Sequence, residues 1–165
     1  MSTRANIVVK DEYDTLWFYQ HGDGYPEGVL PTLFKFMNWV KSGRIRDNAI
    51  QSSGWLILLG VESLIVDMTR YRPEKTRRRN PFEPCNDSLY GWKAGSIEPT
   101  VGQHGDIDYK YIVDLEEKTV MVYEPGWEGE PDKLIGKMNS KGNMTKIKVR
   151  SAEPKTSRVR RLRVS

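Results

Sequence analysis

Two hydrophobic periodicities alternate along this chain, and their order constrains the fold more than any other feature. Residues 6–10 (Asn-Ile-Val-Val-Lys) and 15–20 (Thr-Leu-Trp-Phe-Tyr-Gln) are short β-branched and aromatic runs. The polar Asp11-Glu12-Tyr13-Asp14 separates them, which is the pattern of a β-hairpin. Leu30, Leu33, Phe34, Met37 and Val40 then recur at helical spacing, with Pro31 tolerated in the first turn and Gly43 placed to cap the end. A second helix is predicted from Asp47 as N-cap, with Ile50, Ile57, Leu58, Val61, Leu64, Ile65 and Met68 on one face. Gly54 and Gly60 each cost about 1 kcal/mol relative to alanine there, so they mark close packing or a break.

The β-period returns in the second half. Tyr109, Tyr111, Val113 and Leu115 alternate with Asp108, Lys110 and Asp114, and residues 119–123 resume a β-rich run after Glu116-Glu117-Lys118, a second hairpin. Residues 90–97 read as another short strand, and a last ordered piece ends near Lys137. Two hairpins and two helices sharing one core predict an α+β fold, an antiparallel sheet with both helices packed on one face. The matching periodicities assign Ile7, Val9, Leu16, Phe18, Leu33, Phe34, Met37, Ile57, Leu58, Val61, Tyr111, Val113 and Val122 to that core. The 165 residues suit one domain at 1–137, interrupted by a basic loop at 70–86 and followed by a basic tail at 138–165 that is predicted to be flexible.

Charge is unevenly distributed. The formal net charge is +4, yet residues 70–80 carry +5 and residues 146–165 carry +7, which leaves −8 on the rest of the chain. An acidic body with two basic segments suits contact with nucleic-acid phosphates or with charged protein surfaces. The longest apolar run, residues 55–61, is too short to span a bilayer, and no signal-peptide pattern opens the chain, so a cytoplasmic protein is expected. A single cysteine, Cys85, excludes an internal disulfide and a Cys-based zinc cluster.

The tetrapeptide Gln-His-Gly-Asp occurs twice, at residues 20–23 and 103–106, and holds both histidines of the chain. Imidazole and carboxylate at i and i+2, with a glycine between them, can present a base, an acid or metal ligands together. His21, Asp23, His104 and Asp106 are therefore the candidate catalytic residues and the candidate ligands of a divalent metal; no other cofactor is expected. The same letters also make an ordinary turn whose aspartates accept backbone N–H bonds. One motif follows the second strand and the other precedes the strand at residue 109, so antiparallel strands would bring both to one edge of the sheet, with Arg4 nearby. At least one histidine is then expected within hydrogen-bonding reach of an aspartate. No dinucleotide fingerprint, Walker A loop, nucleophile elbow or zincin helix is present in the sequence.

Met1-Ser2-Thr3-Arg4-Ala5-Asn6-Ile7, then residues 21–29 beginning His-Gly-Asp-Gly-Tyr-Pro, then residues 104–109 (His-Gly-Asp-Ile-Asp-Tyr) resemble a group of small uncharacterised bacteriophage and prophage proteins. Those begin M-x-T-R-x-x-I, continue H-x-D-G-Y-P and later carry H-G-D-I-x-Y. The resemblance implies a phage-encoded protein working in the cytoplasm of a bacterial host. It points to a non-enzymatic inhibitor, a host-takeover or anti-defence protein of which anti-CRISPR proteins are an example, acting on a host protein or nucleoprotein complex. Two alternatives stand beside it: a small hydrolase or nucleotide-processing enzyme built on the His/Asp motifs, and a nucleic-acid-binding accessory protein using the basic loop and tail. Candidate binding residues are Arg4, Tyr25, Arg77, Arg78, Arg79, Trp127, Arg158, Arg160, Arg161 and Arg163; no membrane contact is expected.

Overall fold

The computed structural model describes residues 3–71, 97–126, 129–139 and 143–146. Strands β1 (Ala5–Lys10) and β2 (Thr15–Gln20) lead to helices α1 (Pro26–Lys41) and α2 (Ala49–Tyr71). Strands β3 (Ile97–Thr100), β4 (Tyr109–Asp114), β5 (Thr119–Glu124), β6 (Lys133–Met138) and β7 (Met144–Lys146) follow. The described strands form one seven-stranded sheet in the order β3-β2-β1-β4-β5-β6-β7. The fold is α+β, and both expected hairpins form, β1 with β2 and β4 with β5. The sheet is mixed rather than purely antiparallel, because β1 and β4 run parallel, with Ala5 opposite Tyr109 and Lys10 opposite Asp114.

Side-chain alternation sorts the two faces of the sheet. Ile7, Val9 and Phe18 join Tyr111, Val113, Val120 and Val122 in one buried cluster with Val29, Leu33, Phe36, Met37, Leu56 and Leu59 of the helices. Asn6, Val8, Trp17, Tyr19, Lys110 and Ile112 therefore lie on the opposite face, where the described residues place no helix. The helix layer is tied to the sheet at the α1–α2 loop. The Asp11 carboxylate, in the β1–β2 turn, accepts the Tyr13 and Asp14 N–H groups at 2.8 Å and, through its other oxygen, the first N–H of α2 at Ala49, at 2.6 Å. Asn48 is the local N-cap, its Oδ1 accepting the Gln51 N–H at 2.9 Å, whereas Asp47 turns to Lys118 at 3.0 Å.

The helix faces are rotated from the sequence expectation. On α1 the buried stripe is Val29, Thr32, Leu33, Phe36, Met37 and Val40, so Phe36 is fully buried and Phe34 is 39% exposed. Residues 33–37 are apolar around more than one face, and periodicity alone does not fix which one packs inward. On α2, Ala49, Ser52, Leu56, Leu59 and Gly60 face inward, while Ile50 and Leu58 are exposed. Small residues face the sheet because α2 approaches it closely: a Cβ on Gly60 would sit 3.1 Å from the Ile97 side chain. Of the strand expected at residues 90–97 only Ile97 is among the described residues, where it opens β3; residues 90–96 lie outside them. The sheet continues past Lys137 through β7, whose lysine and threonine content reads as tail but is common at a sheet edge.

Phe36→Ala should lower the unfolding free energy by about 3–5 kcal/mol, and Phe34→Ala by less than about 1 kcal/mol. Urea denaturation of the two variants checks this. Equal losses would show that α1 packs in the other phase.

Candidate functional site

The two Gln-His-Gly-Asp turns meet at the N-terminal end of β1, one on each side of residues 3–5. In the first turn the buried Gln20 amide donates to the carbonyls of Gly22 at 2.8 Å and Asp23 at 3.3 Å, folding the chain back. Asp23 takes the left-handed conformation, φ 52°, which aspartate tolerates better than most residues. The Gly24 N–H then donates to the Thr3 carbonyl at 2.9 Å, and its carbonyl accepts the Tyr111 hydroxyl at 2.8 Å. A side chain is excluded at Gly24, where a Cβ would lie 2.8 Å from the Arg4 carbonyl carbon. From the other side, the Arg4 carbonyl accepts the N–H groups of Asp108 at 2.9 Å and Tyr109 at 3.3 Å. The Arg4 N–H donates to Asp108 Oδ2 at 2.9 Å, and its guanidinium pairs with Asp106.

The second turn belongs to a crossover. Strands β3 and β4 both run parallel to β1, so residues 101–108 must return from the far end of β3 to the start of β4. They pass over the helix-free face. Asn6, fully buried on that face, receives them with a reciprocal pair: its Nδ2 donates to the His104 carbonyl at 3.0 Å and its Oδ1 accepts the His104 N–H at 3.3 Å. The His104 ring stacks on Tyr19 with centroids 4.1 Å apart, and its Nε2 lies 3.1 Å from Thr100 Oγ1. His21 meets Tyr19 edge-on at 4.5 Å and places Nε2 2.6 Å from Glu98 Oε1. The phenol stands 3.4 Å from Asp106; burial first, then the Asp106 charge, holds the Tyr19 hydroxyl proton more tightly than usual.

The candidates are thus partly brought together. His104, Asp106 and Arg4 adjoin one another, and His21 lies across the Tyr19 ring from His104. Asp23 stays exposed on its turn and contributes through its backbone. The expected histidine–aspartate bond is replaced: His104 Nδ1 is 4.0 Å from Asp106, too long for a hydrogen bond, and the carboxylate that meets His21 belongs to Glu98. Glu98 arrives through β2–β3 pairing, opposite Tyr19, a contact hidden in the sequence because Pro99 weakens β3 as a strand signal. Asn6 and Thr100 were equally silent, since a single buried amide has no pattern. Among the described residues no three His, Cys, Asp or Glu side chains gather as they would around a metal ion. Tyr25 is the N-cap residue of α1 and 40% exposed. Arg77, Arg78, Arg79, Trp127, Arg158, Arg160, Arg161 and Arg163, like Cys85, lie outside the described residues.

A histidine aligned by a carboxylate is the arrangement of a general base. Here that pair is His21 with Glu98, whereas the crossover is fastened by Asn6 on the His104 backbone and by the Arg4 backbone, and the exposed Arg4–Asp106 pair orients it without contributing much energy. Comparison with protein-family models, curated proteins and solved structures returns no match.

Asn6→Ala would remove both partners of the part-buried His104 N–H and carbonyl, and should cost roughly 1–2 kcal/mol. Chemical denaturation measures it. A variant as stable as the parent would show that the crossover is not held by this side chain.

Proposed function

We propose that this chain is a non-enzymatic binding protein of phage type, a host-takeover or anti-defence inhibitor such as an anti-CRISPR protein. Its acidic body would occupy a basic, nucleic-acid-binding surface of a bacterial host protein or nucleoprotein complex. The supporting observation is the far end of the sheet. Parallel pairing of β1 and β4 sets the β1–β2 turn beside the β4–β5 turn, and the α1–α2 loop joins them through Asp11.

The carboxylates there divide into two sets. Asp11 is held below the usual carboxylate range by the Ala49, Asp14 and Tyr13 N–H groups, and Asp47 by Lys118. Burial alone would raise Asp114, but the Glu117 N–H, the Lys10 ammonium and the Glu116 N–H outweigh it and hold the carboxyl low. These three shape the turns. Glu12, Asp14, Glu116 and Glu117 make no ion pair among the described residues; Glu12 and Asp14 flank Tyr13, which is 82% exposed, and Glu116 and Glu117 lie in the neighbouring β4–β5 turn, where their charges act on Lys10. An exposed tyrosine flanked by two carboxylates, with two more in the adjacent turn, combines an aromatic anchor with charge complementary to a basic groove. The resemblance to phage proteins supplies the bacterial setting.

The test is capture from a bacterial lysate with the parent and with a Glu12→Lys, Glu116→Lys, Glu117→Lys variant of unchanged melting temperature. The reading expects a host nucleic-acid-binding protein to be retained by the parent and lost by the variant. Equal capture by both would remove the acidic turns from the function. The hydrolase alternative rests on His21 beside Glu98 and requires a hydrolytic activity that His21→Ala abolishes.

A further inference from the structure

The helix layer carries a second charged surface of opposite sign, and the geometry points to a binding site for single-stranded nucleic acid there, centred on Trp39 and Trp55. Between Gly28 and Arg46 the chain has four basic residues, Lys35, Lys41, Arg44 and Arg46, and no acidic one, although the body as a whole is negative. Lys35 Nζ lies 5.4 Å and Arg44 Cζ 5.3 Å from the Trp39 ring centroid. Trp55 meets Trp39 edge-on at 6.0 Å and is 46% exposed.

The arrangement is built into the fold. The Trp39 carbonyl accepts the Arg44 N–H at 3.0 Å and the Ile45 N–H at 3.3 Å, and Ile45 is buried, so the loop holds Arg44 over the indole. Arg46 donates to Gln51 at 3.1 Å. Neither exposed arginine has an acidic partner among the described residues, and the nearest carboxylates are committed elsewhere, Asp47 to Lys118 and Asp11 to backbone N–H groups. Arginines without counter-ions beside an exposed indole match the two halves of a nucleotide. The guanidiniums take the phosphates, and the Trp55 ring takes a base by stacking. A duplex hides the base faces that this ring would contact, so the single strand is the form that fits. The site uses none of the carboxylates of the acidic turns, although Arg44 and Arg46 stand on the α1–α2 loop that borders those turns.

The experiment is fluorescence anisotropy of a labelled oligo(dT) and an oligo(U) against the full chain over a range of salt concentrations, read alongside tryptophan quenching. Trp55→Ala should weaken binding about tenfold with the salt slope unchanged. Arg44→Ala with Arg46→Ala should flatten the slope of log affinity against log salt by about 1.4, two single-strand phosphate contacts' worth. The positions are exposed, and circular dichroism with the melting temperature establishes that each variant is folded. Affinity and slope unchanged in both variants would place any nucleic-acid binding on other basic residues and overturn the assignment. So would an absence of binding at low salt. Quenching by an acidic amphipathic peptide but not by either oligonucleotide would assign the patch to an acidic protein and overturn it equally.

Discussion

The parallel pairing of β1 with β4 is the constraint on which the rest depends. Every other junction in the described sheet is antiparallel and joins strands by local turns or loops or, between β2 and β3, by the helices. The parallel pair cannot close that way, because β4 must begin beside the start of β1. The chain solves this with residues 101–108 laid across the helix-free face. A short segment over a sheet face exposes backbone donors and acceptors that need partners. Asn6 supplies two of them, the Arg4 carbonyl takes two more at Asp108 and Tyr109 while its N–H holds the Asp108 carboxylate, and Tyr19 gives the His104 ring a surface to stack on. The duplicated motifs are two solutions to one problem, a turn packed against each side of residues 3–5.

The same pairing has a consequence at the opposite end. Parallel strands finish together, so the turns following β1 and β4 are neighbours, and their carboxylates form one surface. The indoles and their neighbouring cations lie on the helix layer, where Asp47 turns away to Lys118 and Arg44 and Arg46 have no carboxylate partner among the described residues. The proposed contacts with a protein and with single-stranded nucleic acid would use these two surfaces of opposite charge.

Local pattern carried much of the fold and less of the site. Both hairpins and both helices were legible because alternation and helical spacing are properties of short windows. The inward face of each helix was not: Phe34 and Phe36 stand two residues apart on an α1 that is apolar around more than one face, and on α2 the small residues Ala49, Ser52 and Gly60 turn inward, Gly60 against Ile97 of β3. The convergence of the two motifs followed from strand direction, which β1 transmits between β2 and β4 although those two strands do not touch. Glu98, Asn6 and Thr100 were not legible, since each acts through a register that only the folded sheet defines.

Amide hydrogen exchange at His104 reports whether the crossover is clasped to the sheet. Its N–H points to the buried Asn6 carboxamide rather than into a regular ladder. A crossover clasped to the sheet predicts protection comparable to that of the β1 amides, opening only with global unfolding. Exchange as fast as in an exposed loop, with the β1 amides still protected, would contradict it and show residues 101–108 to be a loose connection.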